Sequence, residues 1–174
     1  MDAINQILIE HPFFRHLPPA VIHRLIRFAS LGKFNAGQFI FTEGEDANDF
    51  FLVLKGGVSL EVNIANYGPV KIEMINRNDV IGWSWLYPPY QWHFDARAVE
   101  ETEMLILNGK ALRSHIEIDH ELGYSLMKNI GEVMGQRLQA ARRKIIEFYT
   151  IFPAPDSDRP KWQSLLDSEA SEDK

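Results

Sequence analysis

The chain has 174 residues and a formal net charge of −6, and its lack of cysteine excludes disulfides, thiolate nucleophiles and cysteine-based zinc sites. No run approaches the about 20 apolar residues that a membrane-spanning helix needs, and the amino terminus lacks the basic and apolar regions of a signal peptide. We therefore expect a cytoplasmic protein that does not insert into membranes. The acidic balance argues against nucleic-acid binding, which depends on lysine and arginine.

Residues 1–32 are predicted to form an N-terminal helical segment. Pro18-Pro19 interrupts it, and Pro19 suits the first turn of a second helix. Apolar residues recur at helical spacing on both sides of the prolines: Ile4, Ile7, Leu8, Val21, Leu25 and Ile26.

Residues 33–108 change to the short, alternating apolar runs of β-strands. The run 50–54 is followed by Gly56-Gly57 and then by alternation through 58–62, a pattern that predicts a hairpin. Further short runs are separated by turn residues such as Asn66-Tyr67-Gly68. Several short strands with turns between them favour an antiparallel roll or barrel.

Residues 109–150 return to helical spacing, with a short helix followed by a long one over about 122–149. Pro153 and Pro155 cannot continue that helix, which we expect to end near Tyr149. Residues 151–174 are rich in acidic residues and serine, and we expect this tail to be partly disordered. Whether it docks as a last short helix stays open.

The glycine pattern of the strand region resembles that of the cyclic-nucleotide-binding domain family. The stretch 37–45 matches the family's G-x-x-I/L-x-x-x-G-E pattern, 49–58 matches its apolar run ending in G-x-V, and 78–82 lies where its phosphate cassette begins. The resemblance covers roughly residues 17–149. It implies an α+β fold, an antiparallel β-roll (double-stranded β-helix, or jelly roll) flanked by N-terminal helices and a long C-terminal helix, like the sensor domain of catabolite-activator-like regulators.

The same resemblance implies a nucleotide site that this sequence does not complete. In the family, a glutamate after the cassette glycine accepts the ribose hydroxyl and an arginine pairs with the cyclic phosphate. Here Trp83 follows Gly82, and Trp92 or His93 stands where the arginine is expected. A buried phosphate without a cationic partner is costly. We therefore expect no high-affinity binding of cAMP or cGMP.

Arg97 could supply the missing charge only if the following strand were shortened. Its alternation with Ala96 and Ala98 instead predicts that its side chain points to the opposite face of the strand. A genuine cAMP or cGMP receptor with an atypical phosphate contact, through Arg97 or His93, remains the alternative.

Residues 83–94, which we call the aromatic cassette, contain three of the four tryptophans. One interpretation is a remodelled pocket for an apolar or aromatic ligand, oriented by Ser84, Gln91 and His93. The other is that the rings fill the vacated pocket and leave an interaction scaffold without a ligand. The predicted ligand-binding residues are Trp83, Ser84, Trp85, Gln91, Trp92, His93 and Arg97.

The sequence contains no catalytic motif, and its six histidines include no H-x-x-x-H pair at metal-ligand spacing. We therefore predict no enzyme, no metal site and no bound cofactor. The leading hypothesis is a non-enzymatic regulatory or sensor module whose cassette detects an unknown small molecule.

The long helix carries Gly131 and Gly135 beside an apolar stripe, and small residues allow helices to approach closely. In the regulators that the chain resembles, the corresponding helix forms the dimer interface, which implies a parallel homodimer through residues 122–149. The alternative is packing of the stripe on the chain's own roll. The basic residues Arg137 and 142–144 are predicted to complement the helix's carboxyl-terminal dipole. Too few residues follow Phe148 for a helix-turn-helix unit, so we expect no direct DNA binding.

Overall fold

The computed structural model describes residues 3–151, so the predicted acidic tail lies outside the described residues except for Ile151. Helical elements precede and follow the strands. They are α1 (Ala3–Glu10), a 3-10 turn (Pro12–Phe14), α2 (Pro19–Leu25), a second 3-10 turn (Ile26–Phe28), α3 (Gly109–Ile116) and α4 (His120–Ile151). Eight strands lie between them: β1 (Ala29–Phe34), β2 (Phe39–Phe41), β3 (Asp49–Lys55), β4 (Val58–Ile64), β5 (Gly68–Ile75), β6 (Val80–Ile81), β7 (Asp95–Ala98) and β8 (Thr102–Asn108).

The strands form two four-stranded sheets, one in the order β1-β8-β3-β6 and the other in the order β2-β7-β4-β5. Every pairing between these strands is antiparallel. The two sheets enclose one apolar interior, as a roll requires. Its buried residues are Phe41, Ala47, Phe51, Val53, Val58, Leu60, Ile75, Ile81, Trp92, Ala96 and Met104. The predicted fold class is confirmed.

The hairpin predicted at Gly56-Gly57 is wrong. β3 pairs with β6 and β8, whereas β4 pairs with β5 and β7, so the glycines form a corner at which the chain passes between sheets. Gly56 has φ +84°, and a Cβ there would lie 2.6 Å from the carbonyl oxygen of Glu101. Only glycine fits that conformation and contact. The paired hairpin is β4–β5, which turns at residues 65–67.

The first strand begins at Ala29, inside the segment predicted to be helical. A 3-10 turn ends the helical part at Phe28, and six residues then pair with β8, from Ala29 opposite Leu107 to Phe34 opposite Thr102. These ladder hydrogen bonds with a distant strand override the local helical spacing.

The described residues divide into two compact units, 3–130 and 131–151, and α4 contributes to both. In the first unit, α4 buries Leu122, Leu126 and Ile130, and the Asn129 side chain donates a hydrogen bond to the Phe13 carbonyl. In the second unit, the described residues 131–151 are helical.

Helix α4 continues to the last described residue, Ile151, two residues beyond its predicted end. Its last described turn contains no basic residue. The dipole acts mainly on charges within the terminal turn, and Arg142, Arg143 and Lys144 lie before it. The prediction that this cluster complements the helix dipole is therefore wrong.

Candidate functional site

The aromatic cassette begins after Gly82, whose φ of +93° lies in the left-handed region. A Cβ at this position would lie 3.1 Å from the carbonyl oxygen of Asp49 and 3.2 Å from the Trp92 ring. Glycine therefore suits position 82 for two reasons: its backbone is left-handed, and a side chain there would crowd Asp49 and Trp92. A 3-10 turn, Trp83–Trp85, follows it directly.

The side chain of Trp92 lies inside the roll and is only 6% exposed. Its ring stacks on Phe41 with the centroids 4.0 Å apart and the planes 16° apart, and it lies 6.2 Å from the Phe51 ring. Two backbone hydrogen bonds, from Trp92 N to Glu45 O and from Gly44 N to Trp92 O, hold its backbone at 2.9 Å each. Trp92 thus occupies part of the space between the two sheets.

Trp85 is fully buried at a different place, between β3 and the start of α3. Its ring centroid lies 6.4 Å from that of Phe50, and a Cβ on Gly109 would come within 2.6 Å of it. Its indole N–H has no hydrogen-bond acceptor within residues 3–151.

Arg113 of α3 binds the cassette at two points. Its guanidinium donates a hydrogen bond of 2.6 Å to the carbonyl oxygen of Trp85 and lies 3.8 Å from the centroid of the Tyr90 ring. Tyr90 lies in the predicted cassette, although it was not among the predicted site residues, whereas Arg113 lies outside it. Nothing in the local sequence points to Arg113, because 28 positions separate it from Trp85.

Two of the three predicted polar residues of the cassette lie close together. Ser84 Oγ is 3.3 Å from His93 Nδ1; Ser84 is buried and His93 exposed. Gln91 is exposed and forms a β-bridge with Asp46, and Trp83 is half-buried. The structure therefore brings Ser84 and His93 together.

Arg97 lies apart from these residues. Its neighbours Ala96 and Ala98 are fully buried in the roll, whereas Arg97 points outward, as their alternation predicts. Its guanidinium pairs with Glu61 and lies 5.1 Å from the Phe39 ring centroid. The hydrogen bond from Arg97 holds the pKa of the Glu61 carboxyl below its usual range.

Within residues 3–151, no helix is long and apolar enough to cross a membrane. The same part of the chain contains no group of three histidine, aspartate or glutamate side chains arranged to hold a metal ion.

Two antiparallel sheets closed around an apolar interior, with helices before and after them, define a β-roll domain. The family model of the cyclic nucleotide-binding domain matches residues 31–119. The chain belongs to this family.

Solved structures with the same fold include a protein from Geobacter metallireducens GS-15 named for cyclic nucleotide binding. It is 26% identical, with a TM-score of 0.70 over 79% of this chain and 99% of that one. A cyclic nucleotide-binding domain from Methylobacillus flagellatus KT is 18% identical, with a TM-score of 0.70 over 83% and 81% of the two chains. The sensor domain of the transcriptional regulator DNR from Pseudomonas aeruginosa is 20% identical, with a TM-score of 0.62 over 78% and 91%. No curated protein sequence matches the chain.

Proposed function

We propose that this chain is a non-enzymatic regulatory module in which the aromatic cassette is the sensing element and helices α3 and α4 are the output. The contact that carries the proposal is the one between Arg113 and the cassette. The Arg113 side chain of α3 contacts both the 3-10 turn, through the carbonyl oxygen of Trp85, and the loop after it, through the ring of Tyr90. A displacement of the cassette therefore acts directly on α3, which precedes α4 in the chain.

The ligand that suits this arrangement is a small apolar or aromatic molecule. The interior beside Trp92 is lined by Phe41 and Phe51, so a ring that displaced the indole would replace its stacking. Ser84, Gln91 and His93 lie in the same cassette and provide polar groups that would orient the ligand. Trp83 and Trp85 belong to the same cassette and would move with it when a ligand binds.

A cyclic nucleotide fits this interior poorly. Trp83 occupies the position of the ribose-binding glutamate, and no arginine lies between Arg77 and Arg97. Arg97 is turned outward and engaged with Glu61. A cyclic phosphate between the sheets would thus be desolvated without a cationic partner.

The proposal is tested by amide hydrogen exchange in the wild-type chain and in Arg113→Met, with Lys110→Met as the control. Arg113→Met removes a charged hydrogen bond while keeping an unbranched side chain, so we expect exchange in residues 83–94 and 109–116 to accelerate by at least about tenfold. Lys110 is exposed on the same helix, and its replacement should leave both segments unchanged.

The same measurement, repeated with cAMP or cGMP at millimolar concentration, separates the alternatives. We expect neither nucleotide to protect the amides of residues 78–98. Protection at micromolar nucleotide would establish a second-messenger receptor with an atypical phosphate contact. Unchanged exchange in Arg113→Met would mean that the cassette is not coupled to α3, which is the result expected of a scaffold filled by its own rings.

We propose further that α4 mediates homodimerisation. In residues 131–151, five apolar residues follow the alternating spacing of four and three that suits a two-helix interface: Met134, Leu138, Ala141, Ile145 and Phe148. Leu138 is 69% exposed, and a Cβ on Gly131 or Gly135 would meet nothing within 4 Å. The spacing and the exposure of this stripe support a partner helix from a second copy.

Leu138→Asp tests the dimer. A charge in the centre of the stripe would be buried without a partner in the dimer, so we expect this variant to sediment as a monomer at concentrations where the wild-type chain sediments as a dimer. Gln136→Asp introduces the same charge on the opposite side of the helix and should remain dimeric. A monomeric wild-type chain, or equal effects of the two substitutions, would contradict the proposal.

A further inference from the structure

A groove on the helical side of the first unit lies outside the aromatic cassette. It has a volume of about 350 Å³ and lies between the second 3-10 turn and α3. The groove is shallow and open to solvent, so a ligand there would stay partly exposed. The groove is lined by Arg27, Phe28, Ala111, Ser114, His115 and Ile118.

Arg27 and His115 form a hydrogen bond at one end of this groove. The Arg27 guanidinium contacts Nε2 of His115 and lies 4.8 Å from the centroid of the Phe28 ring. Among residues 3–151, Arg27 forms no ion pair with a carboxylate. Because a guanidinium only donates, Nε2 of His115 accepts this hydrogen bond, and the other N–H groups of Arg27 face no carboxylate in the described part of the chain.

The nearest carboxylate is already engaged elsewhere. Asp119 accepts both a 2.8 Å hydrogen bond from Arg24 and one of 3.1 Å from the backbone N–H of Leu122, at the start of α4. Its Oδ2 lies 3.6 Å from Nε2 of His115, which is too far for a hydrogen bond. Arg24 is also bound to Glu121. The N–H groups of Arg27 that do not face His115 are thus left for a ligand.

The rest of the groove is apolar. The rings of Phe28 and His115 lie 5.4 Å apart, centroid to centroid. Ile118 is 82% exposed at the edge of the groove, and Ala111 presents only a methyl group. An exposed isoleucine beside an aromatic ring favours an apolar body over a fully hydrated ligand.

We propose that this groove binds a small monoanionic carboxylate with an aromatic or branched apolar body. A carboxylate accepts two parallel hydrogen bonds from the planar guanidinium of Arg27, whose orientation is fixed by its hydrogen bond to Nε2 of His115. Its body covers Phe28 and Ile118. The Asp119 carboxylate adjoins the groove, with Oδ2 3.6 Å from Nε2 of His115, and it repels a dianion such as a phosphate monoester more strongly than a monoanion. This site shares no residue with the cassette and adjoins Asp119, which caps the start of α4.

The test uses 2-naphthoate as the probe and its uncharged amide, 2-naphthamide, as the matched control. Amide chemical shifts of the full chain are followed by NMR during the titration. We expect 2-naphthoate to shift amides of residues 26–28 and 111–118 with a dissociation constant of about 0.1–10 mM, the range for a ligand of this size. The amide should bind at least about tenfold more weakly, because it lacks the charge that Arg27 recognises.

Arg27→Gln removes the guanidinium from an exposed position and should weaken 2-naphthoate binding by about tenfold or more. Arg15→Gln makes the same substitution at an exposed arginine outside the groove and should bind like the wild type. Equal binding of 2-naphthoate and 2-naphthamide, unchanged binding in Arg27→Gln, or shifts confined to residues 81–98 would each overturn this inference. The last result would place the ligand in the roll instead and would leave the proposed function of the cassette standing.

Discussion

Trp92→Ala is expected to lower the free energy of unfolding by about 3–5 kcal/mol, the cost of removing a large aromatic side chain from a packed core. The Trp92 ring is stacked on Phe41 and belongs to the buried cluster between the two sheets. Its removal deletes those contacts and leaves a cavity that the surrounding strands, fixed by their ladder hydrogen bonds, fill only in part. Urea unfolding at equilibrium, followed by far-ultraviolet circular dichroism, measures the loss.

The cavity in Trp92→Ala should accept indole, the ring that the substitution removes. A ligand that binds only the folded chain raises its stability in proportion to the logarithm of the ligand concentration above the dissociation constant. We therefore expect indole to recover part of the lost stability in this variant and to have little effect on the wild-type chain. Dry apolar cavities left by truncated core residues bind small aromatic molecules in this way.

Tyr67→Ala is the control for Trp92→Ala, since Tyr67 is an 85% exposed aromatic side chain on the β4–β5 turn. It should change the free energy of unfolding by less than about 0.5 kcal/mol and should not respond to indole. A loss below about 1 kcal/mol in Trp92→Ala would show that the ring is not part of the packed interior. It would remove the basis for a ligand that replaces it.

The sequence predicted the existence of the strands better than their partners. Alternation and glycines mark a strand and a turn, because both depend on local conformation. The pairing of Leu52 with Val80 and Leu105 depends instead on which distant segments meet when the roll closes. This is why the run before Gly56 was correctly predicted as a strand and wrongly assigned to a hairpin with the run after it.

The cassette shows the same limit at the level of side chains. Its aromatic content indicated a large buried area, but residue type does not tell which space a ring fills. Trp92 lies between the sheets, whereas Trp85 lies against α3, and the two were indistinguishable in the sequence. The outward direction of Arg97 could be predicted, because it follows from the two-residue period of a strand alone.

Stability of the chain is expected to fall by as much as about 3 kcal/mol as the pH is lowered from about 6.5 to about 4, through the titration of His11. The His11 side chain is buried, and its Nδ1 accepts a hydrogen bond of 3.2 Å from the backbone N–H of Phe13. Nε2 is buried with no partner in the described part of the chain. Burial lowers the pKa of His11 from 6.5 to about 4, and the charge of Asp79 opposes this shift only in part.

The sign follows from comparing the two states of the chain. Below pH 6.5 the unfolded chain binds a proton at His11, whereas the folded chain does not until the pH approaches 4. Proton uptake therefore favours unfolding throughout this interval, and the stabilisation is complete only above the unfolded pKa. Asp49 acts in the opposite direction, because burial raises the pKa of its carboxyl.

His11→Gln isolates the contribution of this histidine, because glutamine does not titrate and the other groups remain. We expect the free energy of unfolding of His11→Gln, measured by urea denaturation, to depend less on pH between about 6.5 and 4 than that of the wild type. His16→Gln replaces an exposed histidine nearby and should retain the wild-type dependence. Parallel curves for His11→Gln and the wild type would mean that His11 takes up its proton equally readily in the folded and unfolded chains, and that the packing around its ring does not exclude the charged form.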